Sequence, residues 1–244
     1  MIMQPRNVSA IFKKELRSYF ASPVGYVFII FYLLVSNGFF FFIEDFFRQG
    51  QATMRGYFGT LPWIFLFFVP AITMRLWAEE KKVGTLEILL TMPLREGEVV
   101  LGKFLAAFAF LAITLAFTLP LPVSIGLIGR PDMGVIVGSY CGALFLGAAY
   151  LAIGLLISSL TESQVVAFIV SVAVIFLLLA IGAAPVYLNS LGPIVHVFDY
   201  LSLLSHFNNI TRGVIDSRDV VYYLSVVVLF LYLNVKNIES RKWR

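Results

Sequence analysis

The chain has 244 residues, of which 60% are hydrophobic and 13% charged, and its mean hydropathy is +0.91. This composition excludes an ordinary soluble domain and predicts a single all-α integral membrane domain over residues 1–244. The net charge of +4 does not require a nucleic-acid partner, because basic loops on one side of a membrane account for it. The single cysteine, Cys141, lies in an apolar run and excludes a disulfide framework.

The N-terminal segment, residues 1–23, lacks the small-residue cleavage site of a secretory signal. Apolar side chains recur in it at every fourth position, with Ile11 and Tyr19 beside them: Val8, Phe12, Leu16 and Phe20. Basic residues lie elsewhere on the same helical wheel. The pattern predicts an amphipathic helix in the plane of the membrane interface rather than a frayed tail. Ser22-Pro23 then turns the chain into the membrane.

Six apolar segments follow, and each is predicted to be a transmembrane helix because about 20 apolar residues cross about 30 Å of hydrocarbon. They are residues 24–43, 57–74, 104–128, 134–160, 165–184 and 220–235. The last, with 16 residues, is short for a span, but an even number of spans brings both ends of the chain to one side. In the third span, Pro120 and Pro122 predict a kink or break.

Basic residues predict the orientation, because cytoplasmic loops carry an excess of lysine and arginine. With the N-terminal segment, the loop after the second span and the C-terminal tail in the cytoplasm, 13 of the 18 basic residues lie inside. The other five lie outside: Arg48, Arg55, Arg130, Arg212 and Arg218. Both termini are therefore predicted to be cytoplasmic.

The loop between the second and third spans, residues 75–103, is unusually charged. It holds ten charged residues of a chain that has 18 basic and 14 acidic side chains in all. Gly84 interrupts the pattern and Thr85 is suited to cap a new helix over residues 85–92. The apolar face of this predicted helix consists of Leu86, Leu89 and Leu90.

Glu87 lies on another face of the same predicted helix, and Pro93 ends it. A helix of about seven residues is not stable alone in water. It therefore packs either on its own chain or on a partner protein, and the pattern alone leaves both interpretations open.

The loop resembles the first cytoplasmic loop of type 2 permeases of ATP-binding-cassette (ABC) exporters. The resemblance rests on Glu80, Gly84, Thr85, Leu86, Glu87, Leu89, Leu90 and Pro93, followed by Gly102-Lys103. In those permeases this helix is the coupling helix, which docks in a groove of the cytosolic ATPase subunit. The resemblance implies that the eight residues contact an ATPase and that residues 1–23 are the elbow helix that precedes six transmembrane helices.

The segment before the last span, residues 185–219, is the largest predicted outer segment. Its apolar spacing predicts a short amphipathic helix with Leu201, Leu204 and Phe207 on one face. Two groups of residues resemble the gliding-motility-type branch of the same permeases. They are Ser22-Pro23 with Tyr26-Val27-Phe28, and Phe207, Gly213, Val214, Ile215, Asp216, Asp219 and Tyr222-Tyr223.

The fourth span carries a face of small residues at every fourth position, formed by Gly134, Gly138 and Gly142. Such a face allows close helix packing, either within the subunit or between subunits. The outer segment also contains His196, Asp199 and His206, which suggest a metal site, but two histidines in a long outer loop are more often structural.

Two enzymatic interpretations are disfavoured. Gly97 and Gly102-Lys103 nearly match a phosphate-binding loop, but Phe104 replaces the required serine or threonine and no strand precedes them. Glu79-Glu80 beside a span resembles intramembrane proteases of the prenyl-endopeptidase type, which need an arginine where Gly84 stands and histidines within the membrane.

The sequence therefore indicates a permease subunit that has no ATP site and exports an unidentified substrate. The absence of carboxylates and lysines at mid-depth in the spans argues against an ion-coupled carrier. The resemblance implies a bacterial inner (plasma) membrane location, a second permease subunit, identical or related, and ATPase subunits that bind ATP and magnesium. The alternative is a non-transporting scaffold that transmits force from the same ATPase to an outer protein.

Overall fold

The structure is a computed structural model that describes residues 4–182, 200–213 and 216–242, and no strand occurs in these ranges. The helices in chain order are α1 (Pro5–Ala21), α2 (Pro23–Gly38), a π-helical segment (Phe39–Ile43), α3 (Phe46–Gln49), α4 (Arg55–Thr73), α5 (Arg75–Val83), α6 (Thr85–Thr91), α7 (Glu96–Ala116), α8 (Pro120–Ile128), α9 (Met133–Leu160), α10 (Gln164–Ile181), α11 (Leu203–Ile210) and α12 (Ser217–Lys242).

Six helical stretches are long and apolar enough to cross a membrane, which confirms the predicted number of spans. They are Pro23–Arg48, Arg55–Val83, Glu96–Ile128, Met133–Leu160, Gln164–Ile181 and Ser217–Ser240. The last is 24 residues long, because the helix continues through polar residues on both sides of its short apolar run. A turn separates α7 from α8, where Pro120 and Pro122 predicted a break.

The helix at the centre of the bundle is α9, which packs against α4, α5, α7, α10, α11 and α12. In its apolar window 72% of the residues are buried, compared with 22% in the first and fifth spans. Glycine allows the close contacts. A side chain at Gly147 would meet Leu111 and Phe65, and one at Gly154 would meet Thr73.

One end of the bundle holds α1, the charged loop of residues 75–103 and the last turns of α12, and we call it the charged end. At the charged end, hydrogen bonds join α1 and α5 to the start of α7, and join α5 and the last turns of α12 to the end of α9. At the opposite end, Gly129 lies against Ala52 and Gly213 lies against Val135. The first helix and the C-terminal part of α12 therefore lie at the same end of the bundle.

Along its length α1 packs against α7. Its most buried apolar side chains are Ile11, which covers Gly102, and Tyr19, which stacks on Phe110 with 4.6 Å between ring centroids. Val8, Phe12, Leu16 and Phe20 of the predicted apolar face are only partly buried, whereas the two apolar residues predicted beside that face, Ile11 and Tyr19, are buried. The helix itself is present as predicted.

The outer segment contains a helix, α11, as its spacing predicted. The buried face differs from the predicted one, because Leu203, Phe207 and Ile210 are buried whereas Leu201 is 49% exposed. Most of the segment, residues 183–199, and Val214 and Ile215 lie outside the described residues.

We predict that Gly154→Ala destabilises the protein by about 1–3 kcal/mol, because its methyl group would overlap the Thr73 side chain in a packed core. The measurement is the apparent unfolding temperature of the purified chain in detergent. Gly59→Ala is the matched control, since Gly59 is a helical glycine with nothing within 4 Å of its added methyl group. Equal effects of the two substitutions would contradict the packing described for α9.

Candidate functional site

The charged loop folds into α5, α6 and the first turns of α7. Gly84 separates α5 from α6 and adopts a left-handed conformation with φ of +76°, which an L side chain rarely adopts. The predicted capping role of Thr85 is wrong, because Gly84 occupies the N-cap position and Thr85 is the first helical residue. The Thr85 hydroxyl instead donates a hydrogen bond to the Glu80 carbonyl oxygen at 3.3 Å.

One side of α6 faces the protein and the other faces away from it. Leu86 is only 6% exposed and Leu89 is partly buried against the core. Glu87 is exposed, and so is Ile88, at 60%. The side chain of Leu90 lies outside the described residues. Met92 is extended and ends the helix just before Pro93.

A buried lysine joins three helices at the charged end. Lys103 of α7 is only 1% exposed, and its Nζ lies 3.0 Å from Glu15 Oε1 of α1 and 2.7 Å from Glu80 Oε1 of α5. The same ammonium donates to the Leu76 carbonyl oxygen at 2.9 Å. All three donors of a lysine ammonium are thereby used. Glu80, predicted from the resemblance to contact an ATPase, lies in this ion cluster with its side chain 16% exposed.

The surroundings of the ion cluster are partly apolar and partly charged. Lys103 Nζ lies 5.0 Å from the centre of the buried Trp77 ring, a cation–π contact. Lys14 approaches both carboxylates, at 3.6 and 3.8 Å, but its side chain is 68% exposed. Because a buried charge is costly without its partners, Lys103 constrains α1, α5 and α7 to stay together.

Two further contacts fix α5 to the end of α9. Ser158 Oγ accepts hydrogen bonds from the backbone N–H groups of Trp77 and Ala78, at 3.2 and 3.3 Å, and donates to the Met74 carbonyl oxygen. It thereby replaces the N-cap side chain that α5 lacks. At the other end of α5, Lys81 donates to the Ser159 and Thr161 carbonyl oxygens, where a cation complements the C-terminus of α9.

The first described residues and the last turns of α12 are attached to the same region. Glu98, at the start of α7, accepts hydrogen bonds from the Gln4 N–H at 2.7 Å and from the Asn7 side chain at 2.8 Å. Asn237 of α12 donates to the carbonyl oxygen and the hydroxyl of Ser159, at 2.9 and 2.8 Å. The charged end is therefore one connected network around α5.

The three glycines predicted to form a packing face have different surroundings. A side chain at Gly138 or Gly142 would meet α11, including Ile210 at 3.0–3.4 Å. Gly134 lies at the start of α9, where its N–H donates to Asp132 Oδ1 at 2.9 Å. Within the described residues, Gly138 and Gly142 thus contact their own chain.

The structure describes the residues that resemble a phosphate-binding loop and one of the two histidines of the suggested metal site. Gly97 and Gly102-Lys103 lie within α7, whose backbone is helical and does not form a phosphate-binding loop. His206 places Nδ1 2.6 Å from Asp219 Oδ1 and Nε2 2.9 Å from the Tyr200 carbonyl oxygen, so both ring nitrogens are engaged. His196 and Asp199 lie outside the described residues.

The ion cluster was not predicted, although Lys103 and Glu80 both lie in the predicted loop. Glu15 is the only acidic residue of a basic amphipathic helix, and it falls four residues from both Ile11 and Tyr19 on the buried line. That spacing is a signal for a buried carboxylate that needs a cation. Ser158 carried no comparable signal, because serine is common in membrane helices.

These features define a polytopic helical membrane protein with a short, partly exposed helix outside its spans. The family model described as ABC-2 family transporter protein matches residues 9–235, and the chain belongs to this family. It is accordingly a membrane permease of the ABC transporter type, a subunit that pairs with an ABC ATPase. No match to a curated protein was found.

We predict that Lys103→Met destabilises the protein by about 3–5 kcal/mol, because it leaves two largely buried carboxylates without their main cation. Lys14→Met is the matched control. It removes an exposed cation from the same two carboxylates and should cost at most about 1 kcal/mol. Apparent unfolding temperatures in detergent measure both effects. A Lys103 variant as stable as the Lys14 variant would contradict the role given to the buried lysine.

Proposed function

We propose that this chain is the permease subunit of an ABC exporter and that α6 is its main contact with the ATPase. The observation that carries the proposal is the exposure of Glu87 and Ile88 on a short helix whose opposite side is anchored by the buried Leu86. So short a helix is held by packing, and its outward face is free to meet a partner. The ATPase would bind ATP and magnesium, and this chain would supply no nucleotide site.

The anchoring of α5 supports a coupling role for α6. A push on α6 reaches α5 directly across Gly84, and α5 is bonded to α7 through Lys103 and to α9 through Ser158. Displacement of α6 would thus be passed to two spans rather than absorbed by a flexible loop. Of the eight residues of the resemblance, Glu87 would contact the ATPase, whereas Leu86 packs α6 against the bundle and Glu80 joins α5 to α7.

In this proposal the charged end is cytoplasmic and α1 is the elbow helix of the permease. Two copies of the chain, or this chain and a related one, would assemble with two ATPase subunits in a bacterial inner membrane. Export, rather than force transmission, would use a groove of about 480 Å³ between α2, α4 and α10. Its wall includes Phe31, Trp63 and Phe168, and a second permease placed against it would enclose an apolar path.

We further propose that the chain belongs to the gliding-motility-type branch of these permeases. The gliding-motility-type resemblance rests partly on Asp219 and Tyr223, which the fold uses to attach α12 to α11. Asp219 bonds His206, and the Tyr223 hydroxyl donates to the Leu203 carbonyl oxygen at 2.7 Å. A rigid outer end of this kind also suits an outer protein partner, should the complex drive one.

We predict that Glu87→Lys weakens binding of the ATPase by about 2–5 kcal/mol, because repulsion replaces attraction in the docking groove. The measurement is co-purification of the ATPase with the permease, together with ATP hydrolysis by the complex. Glu162→Lys is the matched control, since Glu162 is an exposed acidic residue of the other short loop predicted on the same side.

Insertion should be normal in both variants, because neither position lies in an apolar segment. Wild-type assembly and wild-type ATP hydrolysis with Glu87→Lys would refute the docking role of α6. Equal loss in both variants would point instead to a general effect of added positive charge.

We predict six spans with both termini cytoplasmic, because 13 of the 18 basic residues then lie inside. Topology reporters fused after residue 50 and after residue 200 should report the outer side, and one fused after Lys82 should report the cytoplasm. A cytoplasmic signal from the fusion at residue 200 would contradict the orientation.

A further inference from the structure

We propose that a pocket at the opposite end of the bundle binds an anionic group, a phosphate or a carboxylate. The pocket has a volume of about 490 Å³ and lies between the first turns of α4, the first half of α9 and the end of α11. It is lined on its polar sides by Arg55, Ser139, Asn208, Thr211 and Arg212. Phe58 supplies an apolar wall. This volume suits a small polar molecule or a lipid headgroup rather than a single ion.

The positive charge of the pocket is not neutralised within the described part of the chain. Neither Arg55 nor Arg212 forms an ion pair with a described carboxylate. The described carboxylates at this end bond elsewhere: Asp45 to Arg48, Asp132 to the start of α9, Asp216 to the Arg218 N–H, and Asp219 to His206. Glu44 lies against Gly56 and has a contact of its own.

The two hydroxyl groups of the pocket already donate their protons to backbone carbonyl oxygens. The Ser139 hydroxyl donates to the Val135 carbonyl oxygen at 2.7 Å, and the Thr211 hydroxyl donates to the Asn208 carbonyl oxygen at 3.0 Å. The other final carbonyl oxygens of α11, those of residues 207, 209 and 210, accept backbone N–H groups at 3.0–3.1 Å. The carbonyl oxygens at the C-terminal end of α11 therefore already have hydrogen-bond partners within the chain.

Two guanidinium groups and the side-chain amide of Asn208 remain as donors. Planar guanidinium groups bind phosphate and carboxylate oxygens through paired hydrogen bonds. This donor set recognises an anion, which is either the headgroup of a lipid or a water-borne molecule. The inference does not depend on α6 or on the proposed export.

The test uses the full chain in its complex with the ATPase, in detergent. Native mass spectrometry measures retention of phosphatidylglycerol against phosphatidylcholine, and calorimetry measures binding of inorganic pyrophosphate. The variants are Arg55→Gln and Arg212→Gln. Arg130→Gln is the matched control, because Arg130 is an exposed arginine of the same end that does not line the pocket.

We expect each pocket variant to lose about tenfold in affinity for at least one anionic probe while Arg130→Gln binds as the wild type does. Loss of phosphatidylglycerol alone assigns a lipid headgroup, and loss of pyrophosphate alone assigns a water-borne anion; both outcomes support the pocket. Unchanged binding in both pocket variants, or no anion binding by the wild type, overturns the proposal. Unfolding temperatures and the charge-retaining Arg55→Lys and Arg212→Lys variants separate a loss of the site from a loss of folding.

Discussion

The arrangement of the charged end depends on keeping one ammonium ion out of water. Lys103 is buried, and its three donors reach two carboxylates and one carbonyl oxygen on two other helices. Removing either carboxylate leaves a buried charge undercompensated, so α1, α5 and α7 cannot separate without a large loss of stability. The exposed Lys14 near the same carboxylates carries no such constraint, since solvent screens it. The burial of Lys103, and not its charge alone, makes this residue important for stability.

This constraint has a mechanical consequence for the loop. Most connections between helices are compliant and transmit little force. Here α5 is bonded at its start by Ser158, near its end by Lys81 and along its side by Lys103. Gly84 is the residue of this loop with a left-handed backbone, and its conformation sets the angle between α5 and α6. If α6 is the ATPase contact, as we propose, a movement of α6 acts on α1, α7 and α9 together.

The sequence predicted the spans because they depend on apolar length, which is a local property. The break before Pro120 and the turn at Gly84 were predictable for the same reason, since proline and glycine act on their own backbone. The ion cluster was not, because Glu15 and Lys103 are 88 residues apart and only the packing of α1 on α7 brings them together. Thr85 shows the limit of local rules. Glycine took the capping position because the turn needed a positive φ there, and the threonine hydroxyl found the Glu80 carbonyl oxygen instead.

The coupling residues named by the resemblance could be only partly interpreted before their positions were known. Glu80 and Glu87 are both acidic residues of one loop, yet Glu80 is partly buried against Lys103 whereas Glu87 is exposed. The glycines of α9 were likewise recognisable as a packing face, but Gly138 and Gly142 lie against α11, which no spacing rule identifies. Long-range packing decides which of several equivalent polar or small residues takes each role.

The most direct test of the central claim is a distance between spin labels on α1 and α5. The labels are attached to cysteines that replace Ser18 and the 68%-exposed Val83, which are solvent-accessible sites outside the apolar segments. Cys141→Ser removes the single native cysteine. In the complex with the ATPase, with and without a bound ATP analogue, the account predicts one narrow distance distribution that does not move. It predicts that Lys103→Met broadens this distribution. A shift of about 5 Å, one helical turn, on ATP binding to the otherwise unaltered complex would contradict the claim that the charged end moves as one body.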